Sequence, residues 1–248
     1  MKKIILLLSL FILILGACSQ NKIMKNLTIK QKMERADEYF KKGKYKLAVL
    51  YYTNIVYEKS SSITPKAQMK LGDSYFKMKQ YDDALFQYQD LIKLFPDYDD
   101  IASAYFKIGL CYYKKSLPPP YTQEETIQAI DAFQSFIDKF PLNEKKQKVV
   151  DYINKCNYKL LEKKYLNGYT YYKLYDYSAA LMYFDEIIKL GNKNEPDKKS
   201  LYYSTLIYLK QKRFDEAKKS AKKLITKYPN TKEAKKIKKK LKKYKISL

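Results

Sequence analysis

Leu-Gly-Asp-Ser-Tyr-Phe-Lys at residues 71–77, Tyr-Asp-Asp-Ala-Leu-Phe-Gln-Tyr at 81–88 and Leu-Ile-Lys-Leu-Phe-Pro at 91–96 set the fold. Gly72 and Tyr75, then Ala84, Tyr88 and Leu91, recur at helical spacing, so each half presents one apolar face. The small residues Gly72 and Ala84 let two helices approach closely, and Tyr75 and Tyr88 fill the space between them. Pro96 ends the second helix, because it lacks an N–H and disfavours helix in the residue before it. The passage therefore predicts two helices joined by a tight turn.

Working outward, the same pattern returns at intervals of about 36 residues. Upstream it reads Ala36, Tyr39, Ala48, Tyr52, Ile55. Downstream it reads Gly109, Tyr112, Ala129, Phe133, Phe136, Pro141, then Gly168, Tyr171, Ala180, Phe184, Ile187, and finally Thr205, Tyr208, Ala217, Ala221, Leu224, Pro229. The residue opening the second helix is aromatic in four copies, at Tyr45, Tyr81, Tyr177 and Phe214. These residues resemble the tetratricopeptide (TPR) repeat, a helix–turn–helix of 34 residues. The resemblance implies an all-α fold: a right-handed superhelical solenoid of five repeats plus a C-terminal capping helix.

The expected organisation is a signal peptide at 1–17, a linker at 18–28, and repeats at 29–62, 65–98, 102–142, 143–195 and 198–230. A basic amphipathic helix at 231–248 follows. The third repeat carries an inserted Pro118-Pro119-Pro120-Tyr121 loop, and no helix breaker separates Pro141 from Gly168, so the fourth repeat's first helix is extended. Asp99 or Asp100, Asn143 and Asn230 are expected helix N-caps. The Asp97–Asp100 cluster lacks the loop glycine and ligand spacing of a calcium site, and capping explains it better. The tail from Lys232 holds nine lysines and one glutamate around an apolar stripe of Ala234, Ile237, Leu241, Tyr244 and Leu248. It reads as a cap for the last repeat, or as a binder of anionic lipid or of an acidic partner.

The chain has 248 residues, a formal charge of +24 and no histidine, which removes imidazole bases, Ser-His triads and imidazole metal ligands. Its six glycines form no phosphate-cradling motif. Arg35 and Arg213 are the only arginines, so lysine supplies nearly all the positive charge. Nucleic-acid readers favour the bidentate fork of arginine, so a nucleic-acid partner is not expected. Cys111 and Cys156 fall in helical patterns without metal-ligand spacing and read as buried thiols, with a disulfide left open. No catalytic residue, metal or cofactor is expected.

At the N-terminus, Lys2 and Lys3 precede an apolar run, Ile4 to Leu15, too short to span a bilayer comfortably. It ends in Leu15-Gly16-Ala17-Cys18, which resembles a bacterial lipobox; lipidation of Cys18 is the expectation. Ser19, rather than Asp, follows the cysteine, which favours an outer-membrane destination.

A lipobox followed by five such repeats resembles the BamD family of outer-membrane protein assembly factors (formerly ComL). The likeness covers residues 18–230: an insertion in the third repeat, then Ala129-Ile130, Phe133, Phe136-Ile137 and Pro141. A long helix follows, leading through Leu160, Glu162-Lys163, Gly168, Tyr171-Tyr172, Tyr177, Ala179-Ala180 and Phe184. The missing proline after the fourth repeat and the basic tail depart from the family's pattern. In TPR proteins, positions 2, 5, 9, 12 and 13 of the first helix line a groove. Here the first two repeats place Met33, Asp37, Phe40, Lys41, Met69, Asp73, Phe76 and Lys77 at positions 5, 9, 12 and 13 as candidate peptide contacts. The later repeats offer Phe106, Tyr113, Lys114, Tyr165, Tyr172, Lys173, Tyr202 and Lys210 as candidate docking residues. Position 13 is lysine in all five, which suits either a carboxylate-binding rim or the negative end of each helix dipole. The cytosolic carboxylate clamp of other TPR proteins is not matched, since Asp37 and Asp73 stand at position 9.

The resemblance implies a non-catalytic lipoprotein scaffold of the β-barrel assembly machinery on the periplasmic face of the outer membrane. Its partners would be the barrel-forming subunit's periplasmic domain and unfolded barrel proteins, whose aromatic C-terminal segments meet the N-terminal repeats. A pilus-assembly or cell-division TPR lipoprotein is the alternative. A peptidoglycan enzyme is disfavoured because no paired-carboxylate motif is present.

Overall fold

The computed structural model describes residues 26–58 and 62–247, and within them every regular element is a helix. In chain order these are α1 (Ile29–Lys41), α2 (Tyr45–Glu58), α3 (Thr64–Lys77), α4 (Tyr81–Leu94), α5 (Ile101–Lys115) and α6 (Glu124–Lys139). They continue with α7 (Lys146–Lys173), α8 (Tyr177–Lys189), α9 (Glu195–Lys210), α10 (Phe214–Lys227) and α11 (Lys232–Lys243). Cys18 lies outside the described residues. The fold class is all-α, of tandem helix–turn–helix repeats.

The helices form two compact units. One comprises the chain up to Lys115 together with Gln128–Val150; the other comprises Ser116–Ile127 and the chain from Asp151 onward. In the first unit, Ala36, Ala48, Tyr52 and Ile55 make one core cluster with Ala67 and Leu71, and Ala84, Tyr88, Leu91 and Cys111 make the next. In the second, Ala180, Phe184, Ile187 and Ile207 form one cluster, while Ala217, Ala221 and Leu224 close on Ile237 and Leu241 of α11.

In the second, third and fourth repeats the small residue of the first helix is a glycine with a measurable role. A Cβ placed on Gly72 would fall 2.5 Å from the Tyr88 ring, on Gly109 2.4 Å from Phe133, and on Gly168 2.8 Å from Phe184. Each aromatic thus lies against bare backbone, where no larger residue fits without displacement.

Turn geometry repeats as faithfully. Gly43, Lys79, Tyr175 and Lys212 have left-handed φ of +70°, +62°, +63° and +59°. In each turn the following N–H reaches back to the carbonyl of the tyrosine that recurs in the first helix: Tyr39, Tyr75, Tyr171 and Tyr208. These are Schellman caps, which satisfy the free carbonyls at the helix end. Three of the four use a residue with a side chain where glycine is intrinsically favoured.

Helix starts follow cap chemistry. Thr28 and Gln31 exchange hydrogen bonds in a capping box at α1. Asp100 accepts from the Ser103 hydroxyl before α5, and Asn143 accepts from the Lys145 N–H before α7. The cap expected at Asn230 is instead Thr231, whose hydroxyl accepts from the Ala234 N–H at 3.4 Å; α11 starts one residue later than the pattern placed it. Asn194 caps α9 with Pro196 in its first turn, so that helix begins at Glu195, ahead of residue 198. α7 runs unbroken for 28 residues. The proline loop is tied down by Gln123, whose amide donates to the carbonyls of Leu117, Pro118 and Tyr121 and whose oxygen accepts from Thr126. Cys111 and Cys156 are buried free thiols, and burial pushes Cys111 up to about 12.

Candidate functional site: a cationic cleft between the first repeats

In the first unit, Phe40, Asp73, Phe76, Lys77, Tyr88, Lys107 and Leu110 line one cavity of about 200 Å³. Phe40 and Phe76 sit at the ends of α1 and α3, and each packs edge-on against the aromatic that opens the next helix: Phe40 on Tyr45 at 5.4 Å and Phe76 on Tyr81 at 5.3 Å. These contacts hold the rings in fixed orientations beside the turn. The Lys70 ammonium lies 5.2 Å from the centre of the Phe40 ring.

The charge balance follows from the hydrogen bonds. Asp73 accepts from the Tyr88 hydroxyl at 2.8 Å and forms an ion pair with Lys107, so its carboxylate is occupied internally. Lys107 also lies 3.7 Å from the Met69 sulfur. Lys77 is exposed at the mouth and makes no ion pair among the described residues. With one carboxylate against Lys77 and Lys107, the cleft keeps a net positive charge. In the preceding repeat Asp37 accepts from the Tyr52 hydroxyl at 2.5 Å. Burial, reinforced by these carboxylates, raises both tyrosine phenols above their ordinary range.

The sequence-derived peptide contacts therefore divide. Phe40, Asp73, Phe76 and Lys77 meet in the cleft, Asp37 is half-buried under Tyr52, and Lys41 is exposed at the end of α1. Met33 and Met69 do not form surface: they are 7% and 4% exposed, within the core clusters. Position 5 is buried between helices here, and Met69 meets Lys107 of α5 behind the cleft. Lys107, Tyr88 and Leu110 were missed. Leu110 stands at position 9 and was within reach of the groove rule; Lys107 stands at position 6, which that rule does not cover.

The later candidates divide in the same way. Phe106 is buried against Phe133 and Phe136, and Tyr165 is buried against Phe184, so neither offers surface. Tyr113, Tyr172 and Tyr202 are half-buried, and Lys114 and Lys173 are exposed. Lys210 is engaged: its ammonium donates to the Tyr177 hydroxyl at 3.1 Å and lies 5.4–5.5 Å from the rings of Tyr172, Tyr175 and Tyr177. The hydrogen bond to Tyr177 raises its pKa. All five position-13 lysines lie in the last turn of their helix. Among the described residues no helix is long and apolar enough to cross a membrane.

A family profile described as YfiO, outer membrane lipoprotein, matches residues 25–210, and a tetratricopeptide repeat profile matches residues 199–231. The outer membrane protein assembly factor BamD of Rickettsia prowazekii (strain Madrid E) is 28% identical over 223 residues, covering 89% of each chain. Among solved structures, the TPR2AB domain of yeast Sti1 in its pHSP90 complex aligns over 88% of this chain and 85% of its own, at 16% identity and a TM-score of 0.47. Pseudomonas aeruginosa PilF aligns over 94% of each chain, at 17% identity and a TM-score of 0.41.

Proposed function

The chain belongs to the YfiO family of outer membrane lipoproteins, and from that premise we propose that it is a non-catalytic scaffold for assembling outer-membrane β-barrel proteins. Lipid on Cys18 anchors it to the periplasmic face of the outer membrane, and the repeats hold the barrel-forming subunit and unfolded barrel substrates. The likeness to a protein named as an outer membrane protein assembly factor supports this reading.

The observation that carries it is the cleft of Phe40, Phe76, Leu110 and Lys77. Its aromatic walls and small volume suit one bulky side chain, and its spare cation suits a carboxylate beside that side chain. A chain ending in an aromatic residue supplies both. Asp73 does not repel that carboxylate, because Tyr88 and Lys107 already engage it. The barrel-forming subunit docks on the half-exposed aromatics and lysines of the later repeats: Tyr113, Lys114, Tyr172, Lys173 and Tyr202.

The test is depletion in the native cell. Barrel proteins of the outer membrane should fall while their unfolded precursors accumulate; unchanged barrel assembly would remove the proposal. In parallel, Cys18→Ala should abolish lipid labelling of the chain and make its membrane association releasable by salt, while leaving its helicity intact.

A further inference from the structure

The last two helices carry a surface that the cleft does not use. Eight of the twelve residues of α11 are lysine. Its apolar residues Ala234, Ile237 and Leu241 are all buried against the second unit's core, so the face left outward is cationic alone. On α10, Lys218, Lys219, Lys222 and Lys223 are exposed as well.

Some lysines elsewhere in the chain are paired across helices. Lys32, Lys107, Lys115, Lys198 and Lys227 each meet a carboxylate of another helix or loop. Among the described residues, no lysine of α11 and none of the four on α10 lies within ion-pair distance of a carboxylate. Nearby acids leave the surplus standing: Arg213 engages Glu216, Lys198 engages Glu233 and Lys227 engages Asp197, while Asp185, beside Lys219 and Lys223, is a single carboxylate against the cluster. Such a cluster repels itself in the free protein, and an array of anions relieves that repulsion.

Two features decide what kind of array fits. The cations are lysine, a point charge on a flexible stem, with no arginine fork for bidentate contacts. Phe214 and Tyr244 stand at the edge of the surface, each 43% exposed, with ring centroids 6.1 Å apart. Exposed aromatics beside lysines are the pattern of a headgroup-level anchor.

We propose that the outward faces of α10 and α11 dock on an anionic phospholipid bilayer. Phosphates meet the lysines, and Phe214 and Tyr244 enter the headgroup layer. The inference rests on the reading above only in placing a bilayer within reach.

The experiment is vesicle co-sedimentation of the mature chain carrying Cys18→Ala, so that no lipid anchor contributes. Vesicles containing phosphatidylglycerol are compared with purely phosphatidylcholine vesicles across a salt series. The chain should sediment with the anionic vesicles alone and be released as salt rises. The variant Lys236→Gln/Lys239→Gln/Lys240→Gln/Lys243→Gln should lower partitioning by about a hundredfold or more, with helicity retained and no fall in melting temperature. Equal sedimentation with both vesicle types, sedimentation with neither, or full binding by the fourfold variant would each overturn the proposal. Binding to polyglutamate under salt where the anionic vesicles are ignored would overturn it too, by assigning the face to an acidic protein. Vesicle binding and barrel assembly on depletion are separate readouts, so failure of one leaves the other standing.

Discussion

Asp73 and Tyr169 hold the same register in their own repeats, and the junctions around them are built from opposite chemistry. In the first unit, Asp73 of α3 accepts from Tyr88 of α4 and pairs with Lys107 of α5. In the second, Tyr169 of α7 lies 5.1 Å from Tyr203 of α9, which in turn stacks on Phe184 of α8 at 6.1 Å. A three-helix junction is thus closed once by a charged hydrogen-bond network and once by rings. The second-helix aromatic follows the choice: tyrosine where the first helix supplies a carboxylate, as at Asp37 with Tyr52, and phenylalanine where it does not. At Tyr52 and Tyr88 the buried phenol meets a carboxylate acceptor, which matters because an unpaired hydroxyl costs about 1–3 kcal/mol. The repeat specifies backbone geometry, and the polarity of its interior is a separate choice in the first four repeats; the fifth has Ala221 in place of the aromatic.

Breaking the polar junction should have the largest effect. Asp73→Leu leaves the Tyr88 hydroxyl and the Lys107 ammonium without their partner, and should cost about 2–3 kcal/mol in urea unfolding. The triple variant Asp73→Leu/Tyr88→Phe/Lys107→Met, which imitates the apolar solution, should recover part of that loss. Recovery of nothing would mean the network contributes more than mutual satisfaction.

Gly109→Ala addresses the feature both units share. Its Cβ would meet Phe133, and overpacking of this kind costs about 1–3 kcal/mol, offset in part by the helical preference of alanine. A melting temperature equal to that of the unchanged protein would show that the ring has room to move.

Alkaline titration sharpens the comparison further. Burial raises the phenols of Tyr52 and Tyr88 in one unit and of Tyr165 and Tyr228 in the other. The folded state therefore holds these protons more tightly than the unfolded chain. Their contribution is complete below the unfolded value of about 10 and is lost as pH rises above it. Stability should fall with pH from about 10 upward, and Tyr88→Phe should reduce the slope.

The smallest effect is expected at the turns. Lys79→Gly and Lys212→Gly, one in each unit, relieve a left-handed residue and should each stabilise by about 0.5–1 kcal/mol. Unequal gains would show that one turn's side chain makes a compensating contact.

Much of this architecture was legible in the chain, because each repeat writes its packing into a few spaced residues. Gly72, Ala84 and Tyr88 name a close approach and the ring that fills it. The side-chain burial of the candidate site was not legible to the same degree. Met33 and Met69 read as groove residues from position alone, but the direction of a side chain near the boundary between core and surface depends on the neighbour it meets. Lys107 was invisible for a related reason: its partner Asp73 lies 34 residues away, on the preceding repeat. Thr231 replaced Asn230 as a cap because two adjacent residues can each serve, and geometry selects one.

The central claim is that the first repeats recognise a chain terminus carrying an aromatic side chain and a free carboxylate. Its most direct measurement is calorimetric titration of the mature chain with a peptide ending in phenylalanine, against the same peptide amidated at its C-terminus. The free carboxylate should bind at least about tenfold tighter, and Lys77→Gln should erase that difference while Phe76→Ala weakens both forms. Equal affinity for the two peptides, unaffected by either substitution, would contradict the account.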